Sequence, residues 1–187
     1  MEAWEEELKE RLRSDQPEAP QDGPSAAVAL LLRWSDVLEG LLIHRIERDD
    51  DPWSGQIALP GGMHHRRDGT PMETARRETQ EEVAVDLATS FAYLGRLPRV
   101  RPANVSRLTV FPYVFASRAD VSPEPGSEVQ AVFWTSLPAL RASRTTRTVQ
   151  ASGREFRVPA YLFQEYVVWG LTYRILTTLF DLRLRYL

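Results

Sequence analysis

At 187 residues, with 43% hydrophobic and 26% charged side chains, the chain has the length of one domain, or of one domain with a short appendage, and can bury about 70% of its unfolded surface. It has no cysteine, which excludes disulfides, cysteine-ligated zinc, iron–sulfur clusters and thiol nucleophiles, and leaves Asp, Glu, His and backbone oxygen as metal ligands. Its 23 basic and 26 acidic residues leave a net charge of −3, so no general electrostatic attraction draws it to nucleic acid or to an anionic membrane.

The charge is unevenly placed. Residues 1–24 hold eight acids and three bases, which leaves 18 acids and 20 bases for residues 25–187. The acidic start has neither the basic nor the apolar region of a secretory signal, and no apolar run reaches the ~18–20 residues that span a bilayer. A cytoplasmic protein is the expectation. Trp4, Leu8 and Leu12 recur at helical spacing and predict a short amphipathic helix, ended by Pro17, Pro20, Gly23 and Pro24. Residues 1–24 thus read as an acidic helix and linker, either a surface appendage or the contact of a homodimer, and residues 25–187 as the main domain.

From Ser25 the runs AAVALLLRW and DVLEGLLIHRI predict a buried hairpin turning at Ser35 and Asp36. RDDDPWSG reads as a polar loop and QIALPGG as a short strand ending in Gly61 and Gly62. Thr70 and Pro71 open a helix that runs to about Val85, with proline in a permitted first-turn position. FAYLGRL, LTVFPYVFA and VQAVFWTSL predict three strands, the last two separated by a loop rich in Ser, Pro and Gly at 122–127. Residues 154–163 suggest a strand pair. VVWGLTYRILTTLFDLRLRYL predicts a C-terminal helix with Trp169, Tyr173, Leu176 and Phe180 along one stripe.

The chemistry concentrates in Arg77-Glu78-Thr79-Gln80-Glu81-Glu82, where Glu78, Glu81 and Glu82 fall on one helix face at i, i+3 and i+4. Carboxylates so placed repel one another. A divalent cation offsets that repulsion, and an all-oxygen ligand set suits hard Mg²⁺ or Mn²⁺. A solvated acidic face is the plain alternative. Upstream, the Gly61-Gly62 pair ends a strand where backbone without side chains lets an ion or a phosphate approach.

Taken together, GGMHHRRDGTPMETARRETQEEVAV resembles the Nudix box, Gly-x5-Glu-x7-Arg-Glu-U-x-Glu-Glu-x-Gly-U with U aliphatic. Arg77, Glu78, Glu81, Glu82 and Val85 match in register. Thr79 replaces an aliphatic residue, Ala84 replaces the late glycine, and the loop between Gly62 and Arg77 is one residue longer, with Asp68 or Glu73 standing where the mid-box Glu belongs. The resemblance implies an α/β/α sandwich with a mixed β-sheet that hydrolyses a small nucleoside diphosphate derivative, without nucleic acid or membrane as partner. It implies that Glu78, Glu81 and Glu82 ligate Mg²⁺ or Mn²⁺ with the Gly62 carbonyl, that Arg77 orients the carboxylates, and that a Glu takes the proton of the attacking water. Glu128, in the loop before VQAVFWTSL, is a further candidate for metal or base, with Glu124 beside it.

The preceding segment, LLIHRIERDDDPWSGQIALPGG, resembles the extra motif of coenzyme A pyrophosphatases. Leu41, Leu42, Arg45, Gly55, Pro60, Gly61 and Gly62 match; Ile43, Leu59 and Asp51 depart from it, Asp51 replacing an arginine. Arg45 and Gly61 are accordingly candidates to meet substrate, and Arg48, Arg96, Arg99, Arg101 and Arg107 are candidates for a 3′-phosphate, with Arg99 and Arg101 preferred. Coenzyme A or an acyl derivative is the expected substrate. ADP-ribose, NADH and dinucleotide polyphosphates remain alternatives, as does a nucleotide-binding module without catalysis. His64 and His65 read as solvated loop residues, His44 as a strand residue, and Trp53, Trp134 and Trp169 as core aromatics that could instead stack on adenine.

Overall fold

The computed structural model describes residues 2–12, 23–47, 54–102, 105, 107–118, 120–151 and 153–187. Most of the 15–24 linker, Arg48, Asp49, Asp50, Asp51 and Trp53 lie outside the described residues.

The predicted hairpin is present as β1 (Ser25–Trp34) and β2 (Leu38–Arg45). β1 is buried on both faces, which is why its sequence is a continuous apolar run rather than an alternation. Its even residues, Ala26, Val28, Leu30 and Leu32, belong to one apolar cluster and its odd residues, Ala27, Ala29 and Leu31, to another. The hairpin stays paired only over Leu32–Trp34 and Leu38–Gly40 before the strands diverge. Two short strands fill the opening: β3 (Ile57–Ala58) pairs with β2, and β4 (Gly61–Met63) pairs with β1. QIALPGG is therefore two strands rather than one, because Pro60 lacks an N–H for a ladder and the chain crosses there from β2 to β1.

β5 (Phe91–Arg96), β6 (Thr109–Ser117) and β7 (Val129–Ser136) complete a seven-stranded sheet in the order β3-β2-β1-β6-β5, with β4 on β1 and β7 on β2. The β1–β6 pairing is parallel and the rest antiparallel, so the sheet is mixed. The stretch expected as a strand pair is one long strand, β9 (Arg154–Phe163), in a separate three-stranded sheet between β8 (Thr145–Ala151) and β10 (Tyr166–Val168).

Helices cover both faces. α1 (Ala3–Arg11) buries Trp4 and Leu8 in the same cluster as the even face of β1, so it is a packed element and not a free appendage. α2 (Pro71–Val83) packs Ala75 and Val83 against the odd face. Two short helices escaped the sequence patterns, α3 (Leu87–Ser90) and α4 (Leu137–Ala142). The C-terminal helix is shorter than expected: α5 spans Gly170–Phe180, because Tyr166–Val168 pair with β9 and Gly170 enters with φ +63°. Tyr173, Leu176 and Phe180 do form its buried stripe, while Trp169 caps the helix. The result is an α/β fold with helices on both sides of a mixed sheet. Among the described residues no helix is long and apolar enough to cross a membrane.

Candidate active site

The site begins with the start of α2. The Thr70 hydroxyl accepts from the Glu73 N–H at 3.2 Å, and the Glu73 carboxylate accepts from the Thr70 N–H at 2.8 Å, a reciprocal cap that uses Glu73 to start the helix. Asp68 has a different task. It is buried and accepts from Arg77 Nε at 2.8 Å and Nη2 at 3.1 Å, from the Thr74 hydroxyl at 3.0 Å and from the His65 N–H at 2.9 Å. Those donors, Arg77 first, hold its carboxyl well below the usual carboxylate range. The choice left open at the mid-box position resolves into a helix cap at Glu73 and an arginine anchor at Asp68.

Arg77 in turn joins β4 to α2. Its guanidinium donates to the Met63 carbonyl at 3.3 Å and pairs with Glu78 at 2.8 Å and Glu81 at 2.9 Å. The three glutamates then diverge. Glu81 has a side chain 54% exposed and lines no part of the cavity described below. Glu78 is mostly buried, with its carboxylate against Gly62: a Cβ at that glycine would lie 2.5 Å from it. Burial pushes its carboxyl above the ordinary range despite Arg77. Glu82 is 4% exposed and accepts from Arg45 Nη1 and from the Gly61 N–H, both at 2.9 Å. Burial pushes it up to about 7; the Gly61 N–H and Arg45 oppose that shift, and the negative charges of Glu78 and Glu128 add to it.

The glycines are required by close approach. Gly61 has φ +153°, and a Cβ there would come within 2.3 Å of the Ala27 carbonyl. Arg45 reaches Glu82 from the end of β2, where the β2–β7 register shifts between His44 and Arg45. Glu128 is brought in by the 122–128 loop, which is stitched to the end of α2 through Glu124 N–H to Val83 O (3.0 Å) and Gly126 N–H to Glu82 O (2.8 Å). Gly126 sits so close that a Cβ would lie 2.1 Å from the Glu81 carbonyl. Loop composition marked this segment as a turn; nothing in it announced a contact with α2.

Arg45, Gly61, Gly62, Glu78, Glu82 and Glu128 line one cavity of about 330 Å³, together with Gln56 and His65. The space opens where β1 and β2 part, and α5 closes it from the other side with Leu171, Thr172 and Ile175. The sequence pattern gave the α5 residues a helix but no place in the site, because an apolar i, i+4 pair on a helix reads as core. Arg99 and Arg101 are exposed and do not line the cavity; the Arg101 carbonyl accepts from Arg174 Nη1. His64 bonds Thr74 Oγ1 at 2.8 Å, and Trp134 lies under the Arg33 guanidinium, 4.3 Å from its ring centroid.

Two departures from the box have local explanations. Thr79, in place of an aliphatic residue, is buried but donates its hydroxyl to the Ala75 carbonyl at 2.7 Å. Ala84, in place of glycine, ends α2 in the left-handed conformation with φ 57° and ψ 28°. The residue bears the strain of that conformation, on the order of 1 kcal/mol.

As a metal site the donors agree in type: three carboxylates on one cavity, all oxygen, suit a hard divalent cation, and the negative charges of Glu78 and Glu128, which add to the effect of burial on Glu82, are what such an ion offsets. Among the described residues no three acidic or histidine side chains already converge on one point, since Glu82 faces Arg45 and the Gly61 N–H.

The NUDIX domain family matches residues 23–154. An uncharacterized Nudix hydrolase, NudL, of Pectobacterium atrosepticum is 33% identical over 140 residues, which cover 73% of this chain and 71% of that protein. An uncharacterized protein of Schizosaccharomyces pombe is 40% identical over 86 residues, 46% of this chain, and the matched part spans only 23% of that protein's length. Among solved structures, a MutT/nudix family protein from Enterococcus faecalis matches 98% of this chain and 75% of its own with a TM-score of 0.57 at 18% identity, a likeness of fold. On the family match and the fold together, the chain belongs to the NUDIX family, whose hydrolases open diphosphate bonds and generally use divalent metal ions.

Proposed function

We propose that this protein is a Mg²⁺- or Mn²⁺-dependent pyrophosphohydrolase that cleaves the diphosphate of coenzyme A or its acyl derivatives to 4′-phosphopantetheine and 3′,5′-ADP. The observation that carries the reading is the convergence of Glu78, Glu82 and Glu128 with Arg45 on one cavity beside the side-chain-free backbone of Gly61 and Gly62. A divalent ion held there by the carboxylates and the Gly62 carbonyl supplies charge neutralisation at the diphosphate and a more acidic attacking water. The chain's own residues do the rest. Arg45, now paired with Glu82, offers its guanidinium to a diphosphate oxygen. Glu78 or Glu128 accepts the proton of the water. Arg77, anchored by Asp68, holds the start of the helix and β4 in place, and Glu81 adds negative charge at the rim. Arg99 and Arg101, exposed and outside the cavity lining, are the proposed cations for the 3′-phosphate.

The coenzyme A assignment rests on the segment 41–62, of which Arg45 and Gly61 line the cavity. A panel of coenzyme A, acetyl-coenzyme A, ADP-ribose, NADH and diadenosine polyphosphate, each with Mg²⁺, Mn²⁺ or chelator, tests it. Coenzyme A turnover that chelator stops, and that falls when the 3′-phosphate is removed, is the expected result. Faster hydrolysis of ADP-ribose than of coenzyme A would transfer the assignment to another nucleoside diphosphate derivative.

A further inference from the structure

The two ends of the cavity are chemically unlike. Its charged side chains, Arg45, Glu78, Glu82 and Glu128, all stand at the β2 and α2 end. The α5 side is walled by Leu108 and Val110 at the start of β6 and by Leu171 and Ile175 of α5. Leu108, Val110 and Ile175 are buried residues, so this wall is built into the core. Among the described lining residues, Thr172 is the only polar side chain at that end, and none is Phe, Tyr or Trp. The α5 residues lie beyond residues 23–154, the segment that the family model matches, while Leu108 and Val110 lie within it.

That wall discriminates between the halves of an asymmetric diphosphate ester. Ribose hydroxyls placed against it lose water without gaining partners. A flat base finds no aromatic ring on which to stack. A branched alkyl group loses nothing polar and fills aliphatic space. Given the diphosphate-hydrolase reading above, on which this rests, we infer that the α5 side receives a branched aliphatic group carried directly on the diphosphate, with the nucleoside half toward the mouth, and that Leu171 and Ile175 set this specificity. The dimethyl-bearing alcohol end of pantetheine is such a group.

The test uses two esters of ADP on the β-phosphate, neopentyl and methyl, compared by kcat/KM with Mg²⁺. The full-length wild type is expected to favour the neopentyl ester by about tenfold or more. Leu171→Asn is expected to bring that ratio near one, mainly through a higher KM for the neopentyl ester, with far-UV circular dichroism reporting its fold. If that variant does not fold, Leu171→Ala serves, with the ratio reduced severalfold. Equal rates on the two esters in the wild type overturn the inference, as does an unchanged ratio in a folded Leu171 variant. Preference for the neopentyl ester without turnover of coenzyme A supports the inference while overturning the coenzyme A assignment. No hydrolysis of either ester by an enzyme that turns over coenzyme A overturns this inference and leaves the hydrolase reading standing, whereas no hydrolysis of the esters or of any substrate in the panel above with Mg²⁺ or Mn²⁺ overturns both.

Discussion

The carboxylate end of the cavity and its α5 end use burial in opposite ways. At the first, Glu82 is almost wholly buried and carries a raised pKa because no arrangement of one arginine and one backbone N–H replaces the water it has lost. At the second, Ile175 and Val110 are equally buried and gain from it as any apolar side chain does. The first end holds charge in a place that folding by itself does not favour; the second holds the fold together and shapes the space. Removing function and removing stability should therefore be separable along a single cavity.

The largest separation is expected at Glu82. Glu82→Gln keeps an acceptor for the Gly61 N–H but removes the charge, and should lower kcat by about a thousandfold, equivalent to about 4 kcal/mol of barrier. Its thermal midpoint should fall by no more than a few degrees, measured by circular dichroism; a collapse of the fold would erase the contrast. Ile175→Ala is the converse. Loss of a fully buried isoleucine side chain should cost about 2–5 kcal/mol in urea unfolding while leaving metal-dependent turnover detectable. Equal loss of turnover in the two variants would mean that the ends do not divide the work.

Asp68 sharpens the comparison, because it is a buried charge that is fully partnered. Asp68→Asn should cost about 3 kcal/mol at neutral pH by breaking one side of the pair with Arg77. The sign with pH follows from its lowered pKa: the stabilisation is complete above the unfolded value of about 3.9 and is lost as pH falls below it toward the folded value. Wild-type stability should thus drop more steeply than that of the variant below about pH 4, and the two curves should run parallel above about pH 5. The smallest effect is at Ala84. Ala84→Gly relieves a left-handed residue at the end of α2 and should raise stability by about 1 kcal/mol with turnover unchanged.

Much of this molecule was legible in the chain itself. The apolar runs of β1 and β2 and the cap at Thr70 are local signals, as is the spacing of Glu78 and Glu82, and each appears where periodicity places it. The failures came where partners overrode pattern. Residues 167–168 look helical in sequence but satisfy their backbone against β9, and 57–63 divides because two different strands supply its hydrogen bonds. Glu81 and Glu82 are adjacent in the chain and equal in type. Which one is buried depends on what lies across from each, and Arg45 and Gly61 lie across from Glu82.

What the sequence alone determined is the chemistry available: no thiols, an all-oxygen donor set on one helix, glycines beside it and a nearly neutral body, since these are properties of residue type and short spacing. What only the tertiary structure decided is the assembly. The parting of β1 from β2 opens the cavity, Gly126 brings Glu128 to the end of α2, and α5 adds an aliphatic wall from residues more than 80 positions beyond Glu82. Those are contacts between distant segments, and they depend on backbone packing that no local pattern encodes.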